Sequence, residues 1–142
     1  MPNGNKLLMR RLFKGLMNQR DIDLIDQMFA SDFVGHDTSG GTFTAPDFKQ
    51  SVREVLDAFP DCAITIEDQL EDGDKVATRW TGRGHHHGVF LGIPPTGKSI
   101  AISGISIDRI ANEMIVESWE ITDDAGLMRQ LGLIQESAVA AD

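Results

Sequence analysis

At 142 residues the chain has single-domain length, and 41% apolar with 25% charged residues is the balance of an ordinary globular protein, one that buries about 70% of its unfolded surface. A net charge of −9 repels phosphate backbones and anionic membranes; the one cationic grouping, Lys6, Arg10, Arg11 and Lys14, reads as a solvated helix face, so neither nucleic acid nor membrane is expected as a partner. The single Cys62 allows no intrachain disulfide, no stretch reads as a signal peptide or membrane span, and the cytoplasm is the default location; the lack of tyrosine removes phenol-based acid or oxyanion chemistry.

From Asn5 to Asn18, Leu8, Leu12 and Leu16, with Met9, Phe13 and Met17 offset, recur at helical steps and predict an amphipathic helix. Asp21 is placed to cap a second helix carrying Leu24, Ile25, Met28 and Phe29. Ser31 to Val34 leads into a polar, glycine-rich stretch, His36 to Gly41. Thr44 and Pro46 open a third helix that Pro60 ends. Strands follow at Ala63–Glu67, Lys75–Arg83, Ser99–Ile110 and Met114–Thr122, the first two joined at the Glu71–Asp74 turn and the last two at Ala111–Glu113. A short helix from Ala125 to Leu131 and a small, polar tail from Ser137 to Asp142, expected to fray, complete the chain.

Helices first and long strands afterwards predict a single α+β domain over residues 1–142. Its cone-shaped, curved antiparallel or mixed sheet carries the three N-terminal helices on its concave side. Such a cone holds an apolar pocket, and the strand from Trp119 to Asp123 is expected as part of its wall.

Several segments resemble the SnoaL-like polyketide cyclases of the nuclear-transport-factor-2-like fold. They are residues 18–37 (NQRDIDLIDQMFASDFVGHD), 59–61 (FPD), 79–97 (RWTGRGHHHGVFLGIPPTG), 103–109 (SGISIDR) and 115–132 (IVESWEITDDAGLMRQLG). The resemblance implies ring closure of an aromatic polyketide ester by intramolecular aldol condensation, without metal or organic cofactor. Related proteins hydroxylate similar polycyclic substrates. It also implies a homodimer or homotetramer and a small apolar or aromatic substrate. Two positions depart from the pattern: Ser118 stands where relatives often have histidine before the tryptophan, and Thr122 where they often have tryptophan.

Asp123 ends an apolar strand at the same parity as Trp119 and Ile121, so the three are expected on one face. The resemblance makes Asp123 the general acid/base; the competing reading is a cap for the C-terminal helix. In the triplet His85-His86-His87, His86 matches the single histidine common in relatives and is the second catalytic candidate, against a structural imidazole. His85 and His87 have the spacing of a zinc pair, but no third ligand is evident and no metal is expected. The substrate-binding candidates are His36, Arg79, Trp80, Phe90, Ile105 and Trp119. His36-Asp37 reads either as a substrate-orienting pair or as an Asx turn. Arg79 and Trp80 lie on opposite faces of a strand, so one of them lines the pocket: Trp80 as apolar wall, or Arg79 offsetting an enolate. Isomerase and dehydratase chemistries of this fold rely on tyrosine, and the epoxide hydrolases' Asp-Arg-Asp set is only partly imitated by Arg79 with Asp123. A non-catalytic binding domain is the remaining alternative.

Overall fold

The computed structural model describes residues 4–134; the tail expected to fray lies outside them. Helix α1 (Gly4–Met17) buries Met9, Leu12 and Leu16. The next helix, α2 (Leu24–Met28), is one residue shorter than its apolar pattern suggested, because Phe29 already pairs with Ile115 as the first residue of β1 (Phe29–His36). Asp23, not Asp21, holds its N-cap position, without a side-chain hydrogen bond. After β2 (Thr42–Phe43), Thr44 and Asp47 form a reciprocal capping box, with Pro46 in the first turn, that starts α3 (Ala45–Ala58). The strands β3 (Ala63–Asp72), β4 (Lys75–His85), β5 (Ser99–Ala111) and β6 (Met114–Thr122) precede α4 (Asp124–Gln130). Both β3 and β4 run further than their sequence patterns indicated.

Strand order is β2-β1-β6-β5-β4-β3. Only β1 and β6 are parallel, which makes the curved, open sheet mixed. Core side chains from α1, α2 and α3 meet Val76, Ile100, Ile110 and Ile115 on the concave side. Burial of this apolar surface, at about 25 cal/mol per Å², is what holds the helices there.

A bulge at β6 decides what the concave side shows. Ile110 pairs with Ile115 but Arg109 pairs with Glu117, which leaves Val116 as an extra residue. A one-residue insertion exchanges the faces of everything after it. Ile115 therefore points into the core, whereas Ser118, Glu120 and Thr122, not Trp119 and Ile121, face inward.

Candidate active site

Between the helices and the inner sheet face lies a cavity of about 510 Å³. Its walls are largely apolar: Phe29, Phe33, Phe43 and Phe48 on one side, Phe59 and Phe90 on another, Trp80 on the sheet. Aromatic contacts tie these together, with Phe29 stacked on Phe48 at 5.4 Å and Phe59 edge-on to Phe90 at 5.3 Å between centroids. One patch is polar. Thr78, Ser106 and Glu120 lie abreast across β4, β5 and β6, and Val76, Asp108 and Ser118 form the adjacent row. Asp108 and Glu120 thus occupy opposite corners of a square whose other corners are serines.

The patch is electrostatically loaded. Asp108, 4% exposed, receives a hydrogen bond from Ser106 Oγ at 3.0 Å. Burial raises its pKa to about 6, against the lowering influence of the Ser118 and Ser106 hydroxyls. Glu120 is pushed further, to about 7, first by burial and then by the negative charges of Asp108 and Asp124, which also lines the cavity. Glu120 accepts no side-chain hydrogen bond among the described residues, so its carboxylate is free to meet a ligand. A carboxyl group ionising near neutrality in a largely apolar cavity is equipped to take and return a proton.

The structure is similar to three solved proteins of Streptomyces. AclR of Streptomyces galilaeus, described as "a putative hydroxylase", superposes with a TM-score of 0.91 at 23% identity, over 99% of this chain and 93% of that one. IdmH of Streptomyces antibioticus, described as "a putative polyketide cyclase", gives 0.81 at 28% identity over 91% and 99% of the two chains. TsrD of Streptomyces laurentii gives 0.79 at 25% over 91% and 95%. No curated protein matches the sequence. The family profile described as SnoaL-like polyketide cyclase matches residues 7–131. This chain belongs to the SnoaL-like polyketide cyclase family.

Within this SnoaL-like frame the residues singled out from sequence divide sharply. Trp80 and Phe90 line the cavity. Asp123 does not: it is exposed, and its Oδ1 accepts the Gly126 N–H at 2.9 Å as the N-cap of α4. The expected wall of Trp119, Ile121 and Asp123 is therefore corrected to Ser118, Glu120 and Thr122, for the reason of the Val116 bulge. Trp119 lies on the outer face, stacked on His36 at 5.3 Å with Lys75 Nζ 5.8 Å from its ring. His36 Nε2 lies 2.7 Å from Glu117 Oε2, and the same carboxylate accepts from Arg109 Nε at 3.1 Å. The His36 hydrogen bond is the main reason the Glu117 pKa is lowered. Asp37 does not orient His36. It accepts from the backbone of Ser39 and Gly41 and closes an Asx-type turn. Arg79 points outward to Asp68, 2.6 Å away, and Ile105 is 48% exposed on the same outer face.

His86 is fully buried one layer behind the wall, with its ring 5.5 Å from that of Phe59. Its Nδ1 accepts the Thr96 N–H at 3.2 Å, which places the proton on Nε2 and pins the loop carrying Phe90. His85 pairs with Asp61 at 2.6 Å outside the cavity. Among the described residues no three His, Cys, Asp or Glu side chains converge as metal ligands.

The sequence reading overlooked Asp108, Glu120 and Asp124. A signal for the first two existed: Ser106-Ile107-Asp108 and Ser118-Trp119-Glu120 repeat one pattern, a serine and an acid at alternate positions of neighbouring long strands. Alternation puts each acid on the same face as its own serine, and the register that pairs Ser106 with Glu120 and Asp108 with Ser118 puts both pairs on one face.

Proposed function

We propose that the protein is a cofactor-independent acid/base enzyme acting on an uncharged, largely apolar carbonyl compound of the aromatic polyketide type, with Glu120 as the general base and acid. The observation that carries the reading is a carboxyl group with a pKa of about 7 facing an apolar cavity of about 510 Å³. Ionised Glu120 takes a proton from a carbon beside a carbonyl, breaking the C–H bond and leaving an enolate. The enolate carbon forms a C–C bond to a second carbonyl of the same molecule, and the resulting alkoxide recovers the proton from Glu120. Asp108 supports the step as a neighbouring negative charge that keeps Glu120 basic. The serines at Asp108 hold that charge in place.

The carboxylates Asp37, Asp47, Asp108, Glu120 and Asp124 all border the cavity, which favours neutral over anionic ligands. Self-association into a homodimer or homotetramer is part of the proposal; Ile105, Ile107 and Ile121, 40–62% exposed on the outer face, supply an apolar surface for it.

The test uses an aromatic ester bearing an acidic methylene and a ketone within reach of ring closure. Glu120→Gln should still bind it while kcat falls by a factor on the order of 10² to 10⁴. If Glu120→Gln keeps its kcat and Asp123→Asn loses it, the base is Asp123 and the reading is overturned. Ser118 favours a second reading: among the described residues no imidazole lines the cavity, and deprotonation followed by addition of dioxygen would place a hydroperoxide on an already closed ring, which an external two-electron reductant of the nicotinamide or thiol class would convert to the hydroxyl and water. Oxygen uptake coupled to substrate loss distinguishes it.

A further inference from the structure

Two glycines in the sheet interior have no turn to make. Gly82 and Gly104 are both absent from the positive-φ residues, and a mid-strand glycine costs roughly 0.5–1 kcal/mol relative to alanine. What they permit is an approach. A Cβ on Gly104 would stand 2.7 Å from Trp80 Cε2 and 2.9 Å from Cη2, and closer still to Cζ2; a Cβ on Gly82 would stand 3.7 Å from Trp80 Cζ3. The six-membered ring of the indole therefore lies down on the sheet, covering the bare inner surface of Gly104 and touching Gly82. Phe43 does the same over Gly35, where a Cβ would come within 2.6 Å of Cδ2. Both rings line the cavity.

Gly104 pairs with Thr122, and Ser106, two residues along β5, pairs with Glu120. The Trp80 floor is thus one pleat repeat, about 7 Å, from the proposed base. Among the described residues Trp80 Nε1 enters no hydrogen bond, which leaves a donor at the rim of that floor.

We propose that Gly104 is a specificity determinant of this cavity: its missing side chain lets the Trp80 indole lie flat as a floor on which a planar ring system stacks beside Glu120. A methyl group at position 104 lifts the indole into the cavity and closes the slot above it. The proposal rests on the acid/base reading for the role of Glu120, but its test reads binding alone, so the two fail separately.

The probe is 1,8-dihydroxyanthraquinone, with perhydroanthracene as a ring system of similar length that is not flat. In a Trp119→Phe background Trp80 is the sole tryptophan, and the planar probe should quench its fluorescence. By titration calorimetry Gly104→Ala should weaken planar-probe binding about tenfold, equivalent to about 1.4 kcal/mol. In a Trp80→Ala background the same change should cost less than about twofold, because the clash has gone. Should Gly104→Ala fail to fold, Trp80→Leu against Trp80→Phe decides: only the leucine, which fills space without a flat face, should erase the preference for the planar probe. No binding or no quenching in the Trp119→Phe protein overturns the proposal. So do equal affinities for the flat and saturated probes, and an equal cost of Gly104→Ala with and without Trp80.

Discussion

The inner and outer faces of β5 and β6 are made from the same alternating residues and carry opposite chemistry. Inward, the buried Ser106, Asp108 and Ser118 and the half-buried Glu120 form a polar patch within an apolar cavity. Outward, Ile105, Ile107 and Ile121 are exposed, while the charges around them are matched in open pairs such as Arg79–Asp68 and Arg109–Glu117. The ordinary arrangement, apolar inside and polar outside, is reversed over this part of the sheet. The physical consequence differs accordingly. Burial raises the carboxyl pKa values inside, and hydrogen bonding lowers that of Glu117 outside. The inner face holds groups poised to exchange protons at neutral pH, and the outer face holds Glu117 with its pKa lowered.

The strongest way to break this contrast is at the inner acid itself. Glu120→Gln should cost kcat a factor on the order of 10² to 10⁴, with KM nearly unchanged, in steady-state turnover of the polyketide ester. Next comes the neighbour: Asp108→Asn removes a negative charge from beside Glu120, so the acid limb of the kcat/KM profile should move to lower pH.

Stability should follow the same electrostatics. Asp108 and Glu120 have folded pKa values of about 6 and about 7, above their ordinary values of 3.8 and 4.5. Between these limits the folded state binds more protons than the unfolded one, so their contribution is complete below about pH 4 and is lost as pH rises to 7. Thermal melts should show Tm falling from pH 5 to pH 8, and Glu120→Gln should flatten that fall. At exposed positions, Asp37, Asp47 and Asp61 have lowered pKa values, through hydrogen bonds from Ser39, Thr44 and His85 respectively, and act in the opposite sense, losing their contribution only in more acidic solution.

Smaller effects sharpen the contrast from the outer side. Asp123→Ala removes the α4 cap and should cost about 1 kcal/mol in denaturant melts while leaving the Glu120-dependent pH profile in place. On the outer face, Ile107→Glu with Ile121→Glu should change monomer stability by less than about 0.5 kcal/mol each, and sedimentation should show the proposed oligomer dissociating.

Much of this architecture was legible. The period of α1, the Thr44–Pro46 start of α3 and the turn at Ala111–Glu113 each announce themselves through local chemistry. The face of β6 did not. Its alternation is plain, but alternation fixes only which residues share a face, and Val116 exchanges the two faces through a pairing with β5 that no local pattern encodes. Trp119 and Ile121 look like a pocket wall because apolar residues normally point inward; here the inner positions went to Ser118 and Glu120. Asp123 followed the same error, one residue past the end of the strand, where its competing role as a helix cap is what the hydrogen bond to Gly126 reveals.

The central claim is that the inner face of the sheet carries carboxyl groups that ionise near neutrality. Side-chain carboxyl 13C chemical shifts followed from pH 3 to pH 9 test it directly, with Glu120→Gln and Asp108→Asn supplying the assignments. Two coupled transitions at about 6 and about 7, both altered by either substitution, are the predicted result. Titration of Glu120 and Asp108 at ordinary carboxylate values would contradict the account.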